Sequence, residues 1–426
     1  MLKKSILMAT LVYLAILMVN PTSATADSNT ETQSGYVSMA ASQVNVTINS
    51  VNTSAAYVIS SSRAAISPDG ALIRVMSVLL NDTTIGLYRF EATTNVTNVA
   101  WQIVEDPDLV VQRGTFSYTT ELNVNASITA VNLSNSFVIN SVRSNNGNNL
   151  NLRGFWRSKF VNTTRISNTR GSGVSGGDVA WQVITWNGAN IKNGSVSLGV
   201  TNVTSVSFNA INNSNTFLTF SYDCSTNGVS ICFVKGYFLN STTARFERVN
   251  NTAGTNVIDY FLVSESTINV ENGTTTLDGI TNTNATTRLV NLSREFVVNS
   301  WASNQITTTY QRAFTTYRQI NSTIIEFIKG TASEGTFHAW YSIVFQDAAP
   351  TDDCAYTTGN YNLPCGCNVS TNTILSPAIS MQNLSINGTG TTVITANITN
   401  VANVNIFGLS SANQCNVILA NGARII

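Results

Sequence analysis

Val99-Ala100-Trp101-Gln102-Ile103-Val104 returns 80 residues later as Val179-Ala180-Trp181-Gln182-Val183-Ile184. Two looser versions follow: Ile258-Asp259-Tyr260-Phe261-Leu262-Val263 and His338-Ala339-Trp340-Tyr341-Ser342-Ile343. The aromatic centres Trp101, Trp181, Tyr260 and Trp340 stand 80, 79 and 80 residues apart. Apolar residues alternate around each aromatic, which reads as a β-strand with one buried face. Burying a Trp removes ~200 Å² from water, worth at most about 5 kcal/mol at ~25 cal/mol/Å². The four aromatics are therefore the expected core anchors of four tandem units of about 80 residues.

Other features keep the same period. Val51-Asn52-Thr53-Ser54 leads into Tyr57-Val58, and matching runs begin at Val131, Ile211 and Val290, before Phe137, Phe217 and Phe296. Asn followed two residues on by Ser suits a side-chain-capped turn. Asp69-Gly70, Asn146-Gly147 and Asn227-Gly228 then predict hairpins, with Asn304-Gln305 a weaker fourth. A second turn starts at Asn81, Asn162, Asn240 and Asn321.

A glycine strand lies 13 residues past the first three aromatics, at Gly114, Gly194 and Gly273. The fourth copy is at the other end of the chain, in Gln33-Ser34-Gly35-Tyr36-Val37-Ser38. Two phasings fit. Each unit either begins with its own glycine strand, or pairs its aromatic strand with the glycine strand that follows. The polar stretch around Asp106-Pro107-Asp108 suits a hairpin loop and favours the second. Unit four would then lack a strand and the N-terminus would carry a spare. The expectation is head-to-tail strand donation, with residues 33–38 entering beside His338, Trp340 and Ser342 of a neighbouring copy. Four units in line would make a protomer of about 110 Å.

Charged residues are only 10% of the 426, and Lys plus Arg balances Asp plus Glu at 22 each. That balance gives no electrostatic footprint for nucleic acid. Lys3, Lys4, the apolar run Ile6–Val19 and Ala24-Thr25-Ala26 read as a secretory signal, so the mature chain is expected to begin near Asp27, with no membrane span and a secreted, extracellular or cell-surface location. In an exported chain, six cysteines imply disulfides: Cys224 with Cys232 across a loop, and Cys354, Cys365, Cys367 and Cys415 among themselves in unreadable connectivity. Residues 354–426 leave the repeat, and their short β-like pieces suggest a small parallel solenoid.

The expected fold is all-β: four Ig-like sandwich repeats and a small disulfide-linked C-terminal β domain. The boundaries read as signal peptide 1–26, donor strand 27–41, repeats 42–121, 122–202, 203–281 and 282–353, and tail 354–426.

The [VI]-N-x-S-x-x-F-V turn, the second N-x-T turn and the V-A-W-Q-V strand with its V-Q-x-G-T follower resemble tandem β-sandwich repeats of secreted surface and fibre proteins from archaea, bacteria and phages. The resemblance spans roughly residues 33–346 and is strongest in units one and two. It implies a structural or adhesive extracellular role and no catalytic residues.

The single histidine, His338, replaces the Val of the first two aromatic strands and reads as a core residue. No hydrolase triad, His-based metal site or phosphate loop is evident, and neither an enzyme nor a cofactor is expected. Asp106, Asp108, Asp352 and Asp353 are loop acids that read as solvated. N-glycosylation sequons are abundant: Asn45, Asn52, Asn81, Asn95, Asn125, Asn132, Asn162, Asn193, Asn202, Asn212, Asn240, Asn250, Asn272, Asn284, Asn291, Asn321, Asn368, Asn383, Asn387 and Asn397. Eight of them are in phase. Turn capping explains the phase; a glycan coat explains phase and number together. Trp156, Trp186 and Trp301 fall outside the repeat and would serve a glycan-binding adhesin if exposed. The leading expectation is a glycosylated, self-assembling extracellular filament subunit; the alternative is a surface adhesin binding glycans.

Overall fold

The computed structural model describes residues 31–346, except 65–72, 93–94, 145–154, 172–175, 226–228, 251–253, 289, 305–312 and 333–334; beyond 346 it describes strands only. The signal peptide, the turn dipeptides at 69–70, 146–147 and 227–228, Asp352, Asp353, Cys354, Cys365, Cys367 and Asn397 lie outside the described residues, as do the side chains of Asn368, Asn383, Asn387 and Cys415. The chain divides into two compact units, Met1–Phe345 and Gln346–Ile426.

Within the first, each repeat holds six strands. Repeat 1 comprises β1 (Glu31–Met39), β2 (Gln43–Thr47), β3 (Ala56–Ala64), β4 (Met76–Asn81), β5 (Thr84–Tyr88) and β6 (Thr97–Glu105). Repeat 2 has β7 (Leu109–Tyr118), β8 (Asn123–Ser127), β9 (Ser136–Ser144), β10 (Trp156–Asn162), β11 (Arg165–Arg170) and β12 (Gly177–Trp186). Repeat 3 has β13 (Asn190–Leu198), β14 (Val203–Ser207), β15 (Thr216–Tyr222), β16 (Lys235–Asn240), β17 (Thr243–Glu247) and β18 (Asn256–Ser264). Repeat 4 has β19 (Ile268–Leu277), β20 (Asn282–Thr286), β21 (Glu295–Ser303), β22 (Thr315–Asn321), β23 (Ile324–Lys329) and β24 (Thr336–Phe345). Every repeat forms two three-stranded antiparallel sheets, ordered β1-β6-β3 and β2-β5-β4 in the first and likewise in the rest.

The aromatic strand is the middle strand of its sheet. Its partner is the glycine strand that precedes it in the chain, with Gly35 opposite Trp101, Gly114 opposite Trp181, Gly194 opposite Tyr260 and Gly273 opposite Trp340. The glycine is dictated by the ring, which lies flat over it. A methyl carbon added at Gly273 would stand 2.5 Å from Cζ2 of Trp340, whereas one added at Gly199 would meet nothing within 4 Å. Gly273→Ala should therefore cost about 2–3 kcal/mol in denaturant unfolding and Gly199→Ala under about 0.5.

This register selects the first phasing and corrects several expectations. Residues 33–38 lie against β6 of their own chain, from Gln33 opposite Ile103 to Ser38 opposite Asn98. The proposed acceptor, with His338, Trp340 and Ser342, is flanked on both sides, by β19 and β21, and offers no free edge. The repeats accordingly run 31–105, 109–186, 190–264 and 268–345, one strand earlier than the sequence boundaries. The turn at Asp106–Asp108 carries the chain into the next repeat, because β7 pairs with β12. Asp106 is buried there rather than solvated, its Oδ1 accepting from the N–H of Asp108 at 2.7 Å. The strands on either side of the dipeptides expected to make hairpins, β3 and β4 or β15 and β16, lie in different sheets and do not pair with each other.

The aromatic strands are buried on both faces: of Val99–Glu105 only Glu105 approaches solvent. Trp101 and Ile103 fill their own sandwich with Val58, Leu79 and Leu87. The opposite face meets another repeat. Gln102 grips the backbone of Val297 in repeat 4, donating to its carbonyl at 3.0 Å and accepting from its N–H at 2.7 Å. Gln182 grips Val58 of repeat 1 in the same way, at 2.9 and 3.0 Å. Repeats 3 and 4 place Phe261 and Tyr341 there, against Phe160 and Phe238 of the preceding repeat.

The four repeats consequently form a closed ring rather than a line. Tyr57, Phe137, Phe217 and Phe296 meet edge to face around the centre, each touching its two neighbours at 5.8–6.4 Å. Ser61, Ser141, Ser221 and Ser300 form a second layer, each accepting from a backbone N–H of the adjacent repeat, at Tyr317, Ser77, Ser158 and Gly236. Repeats 1 and 4 are joined by side-chain contacts among the described residues: besides the Gln102 grip, Thr32 Oγ1 donates to Leu292 O at 3.0 Å and accepts from Glu295 N, Arg63 donates to Thr316, and the Arg318 guanidinium lies 4.8 Å above the Tyr36 ring. No strand is spare and no sheet is short: β1 completes repeat 1, and β24 has both of its neighbours within repeat 4.

The second compact unit is a parallel solenoid. β25 (Asn360–Pro364), β28 (Asn383–Gly388) and β31 (Asn403–Gly408) stack in parallel, as do β26 (Asn368–Val369), β29 (Gly390–Ile394) and β32 (Cys415–Leu419), and β27 (Thr373–Ile374) with β30 (Ile398–Thr399).

Candidate functional site

Two features carry chemistry: the turns at one end of the ring and the chamber at its centre. All eight phased asparagines cap their turns identically. Oδ1 accepts from the N–H of the Ser or Thr two residues on at 2.9–3.1 Å, in Asn52, Asn132, Asn212 and Asn291 and in Asn81, Asn162, Asn240 and Asn321. The hydroxyl of the same Ser or Thr donates to that Oδ1 as well, as in Ser54 to Asn52 at 2.7 Å. The turn therefore uses Oδ1, and Nδ2, the atom that carries an N-linked glycan, is left outside these bonds. The two turns of a repeat are tied together, Ile48 N and Val51 N donating to Thr83 O and Asp82 O. Strand direction puts all four pairs at one end of the ring. Asn95, Asn202 and Asn250 lie at the other end, and Asn45, Asn125, Asn193, Asn272 and Asn284 along the strands. Every described sequon asparagine is exposed except Asn95 and Asn250, which are half-buried.

The central chamber has a volume of about 300 Å³. The phenyl layer around Phe217 closes one end. Ile59, Ile139, Thr219 and Val298 face it next, half-exposed although they lie at the middle of the ring. At the other end a second four-membered layer contains Arg74, Phe155, Phe233 and Phe314. Phe233 meets Phe155 at 5.3 Å and Phe314 at 5.2 Å, and the Arg74 guanidinium lies 4.1 Å above Phe155 and 5.3 Å above Phe314. The expected Cys224–Cys232 disulfide is formed beside this layer, with a single helical turn at Val229–Cys232 inside its loop.

Sequence reasoning missed a phased cation. Eight residues after each second-turn asparagine stands Arg89, Arg170, Arg248 or Lys329, all at most 2% exposed. Each binds carbonyls at the end of the first strand of its repeat or in the loop that follows it, including Ala41 O, Glu121 O, Gly199 O and Leu277 O. The constant offset from Asn81, Asn162, Asn240 and Asn321 was the available signal.

His338 is fully buried, lies 3.2 Å from Thr336 Oγ1, and is held down to about 3 by desolvation, with Lys329 and Lys235 adding to it. It is a neutral core residue. Glu295 occupies the place of Ala56, Ser136 and Thr216. Burial raises its carboxyl to about 7, against the hydrogen bond from Ser342 and the charge of Arg288, with Glu271 adding to the rise. A carboxyl raised in the fold stabilises while protonated: the contribution is full below about 4.5 and is lost as pH rises through about 7. Titration of His338 runs the other way in acid, so the useful quantity is a difference. The stability of the wild type minus that of Glu295→Gln should fall by about 3 kcal/mol between pH 5 and pH 8 in urea melts.

Trp156 and Trp186 are 2% and 1% exposed, and the half-buried Trp301 donates to Ala313 O at 2.7 Å. None of the three offers the open aromatic face expected of a sugar platform. Among the described residues no helix is long and apolar enough to cross a membrane. No protein-family model and no curated protein matches the chain.

Proposed function

We propose that this chain is a secreted, N-glycosylated structural protein, a subunit from which an extracellular filament or surface assembly is built by contacts between copies. It is not an enzyme and uses no cofactor beyond its covalent glycans. The observation that carries this reading is the set of eight asparagine turns gathered at one end of the ring, each with its Nδ2 outside the turn bonds. A chain with so little charge gains solubility from sugars there. Assembly by strand donation into β24 is not part of the proposal, because that strand has both neighbours; copies meet through the surfaces of closed rings.

Two measurements test it. Intact mass of native material, before and after enzymatic deglycosylation, should fall by several glycans, with the sites mapping first to Asn52, Asn81 and their equivalents; an unchanged mass removes the glycan coat. Electron micrographs of the same material should show polymers; dispersed single particles at every concentration would remove the filament.

A further inference from the structure

A β-bulge recurs at one place in all four repeats. The register shifts between Leu79 and Asn81, between Phe160 and Asn162, between Phe238 and Asn240, and between Gln319 and Asn321. The extra residue is Leu80, Val161, Leu239 or Ile320, each immediately before a second-turn asparagine. A bulged residue drops out of the ladder and out of the regular alternation of faces. These four are exposed, at 43%, 50%, 54% and 41%. One exposed aliphatic needs no explanation. Four at one structural place do, in a chain whose repeats have drifted as far as Trp101 against Tyr260 and Val99 against His338.

The first turns do not share the feature. Val51 and Val290 precede Asn52 and Asn291 and are buried, while Val131 and Ile211 pack against the core. Of the two turns, only the second sets an outward aliphatic beside an asparagine whose Oδ1 is held by the turn. Its Nδ2 lies outside the turn bonds.

Whatever covers these side chains is small. Four half-exposed aliphatics offer roughly 250 Å² of apolar surface together. A stable protein interface takes ~800 Å² from each partner. A sugar ring has the matching size and form, with hydroxyls at its rim and C–H groups on its face, and one attached at the next residue is within reach. Covering the aliphatic removes apolar surface from water without asking the sugar to give up its hydroxyl contacts with solvent.

We propose that Asn81, Asn162, Asn240 and Asn321 carry the glycans that stabilise the fold, the first sugar of each lying on the bulged aliphatic before it. Transfer joins Nδ2 to the anomeric carbon of a saccharide carried on a lipid phosphate. The phosphate leaves with the bonding pair, and one amide proton passes to solvent. The inference rests on the glycosylated reading above and adds to it which sites act on stability and through which side chains.

The test is a cycle of glycan against side chain on the full chain from a glycosylating host. One arm is left intact; the other is treated with an amidase that leaves Asp at each site, which can still cap its turn. Both arms are repeated with Leu80→Ser, Val161→Ser, Leu239→Ser and Ile320→Ser combined, with site occupancy checked by mass. Glycans should map to all four second-turn asparagines. The substitutions should lower the thermal midpoint of the intact ring by about 5 °C and that of the treated ring by under about 1 °C. A chain with no glycan at any site removes the glycan coat and this inference with it. Three results overturn this inference alone. One is glycans confined to other sites. Another is equal shifts in the two arms, zero included. The third is a shift that grows with protein concentration, which would assign the aliphatics to contacts between copies.

Discussion

Phe217→Ala is expected to lower the stability of the whole ring by about 3–5 kcal/mol, not that of repeat 3 alone. The side chain is 1% exposed and touches Phe137 and Phe296, members of two other repeats. Removing it leaves a hole that those rings border from either side and cannot close without giving up their own edge contacts. One core cluster takes residues from all four repeats, among them Tyr57, Phe137, Phe217 and Phe296. Residues 31–345 should accordingly unfold in one calorimetric transition, in the wild type and the variant, with the variant's midpoint lower. Four resolved transitions, or loss confined to signals from repeat 3, would show that the repeats are energetically separate.

Arg157→Met should be nearly as costly, about 3–5 kcal/mol at pH 7. Arg157 of repeat 2 reaches into repeat 3 to Asp223 at 2.8 Å and Asp259 at 2.9 Å, and both acceptor side chains are less than a tenth exposed. Asp259 also accepts from Ser195, and Asp223 from the N–H of Val257 at 3.0 Å. Without the guanidinium two carboxylates remain buried side by side. Burial already raises the Asp223 carboxyl, with Arg157 opposing the rise. In the variant that opposition is gone, so acidification should restore part of the loss by protonating Asp223. Adding Asp223→Asn and Asp259→Asn to the Arg157→Met variant should restore more. The readout is denaturant melts at pH 5 and pH 7; a loss independent of pH would assign the effect to packing of the long side chain.

Much of this architecture was legible in residues. The period, the anchor aromatics, the asparagine turns, the bridge at Cys224 and the parallel tail all come from local chemistry that a sequence displays. Trp101 over Gly35 is such a case: a flat ring needs a partner without a Cβ, and the pair recurs with the repeat. The mismatch of one strand at each end does not exist in the fold: it came from pairing each aromatic strand with the glycine strand that follows it, whereas each pairs with the one that precedes it and every repeat is complete. Whether tandem units run straight or close depends on the angle at which neighbours meet. That angle is set here by Gln102, Gln182, Phe261 and Tyr341, one side chain per repeat, and no periodicity reports it. A clue was present in the aromatic strand itself. Six nearly unbroken apolar residues from Val99 to Val104 indicate burial on both faces, which a half-solvated sandwich does not require. The chamber was illegible because its walls come from four separate strands of ordinary composition. Arg74 becomes conspicuous only when the four repeats are aligned on their second turn.

The join between repeats 1 and 4 has a mechanical consequence. The other three joins are crossed by the backbone, at Asp106–Asp108 and its equivalents, whereas this one rests on Thr32, Gln102, Arg63 and the packing of Tyr57 on Phe296. Tension applied through Glu31 and Phe345 loads that join directly, so it should part first, letting the closed loop spring into an arc while the sandwiches stay intact. In optical tweezers this would register as a small extension at low force, ahead of the larger steps of strand unravelling, and relaxation would let it heal.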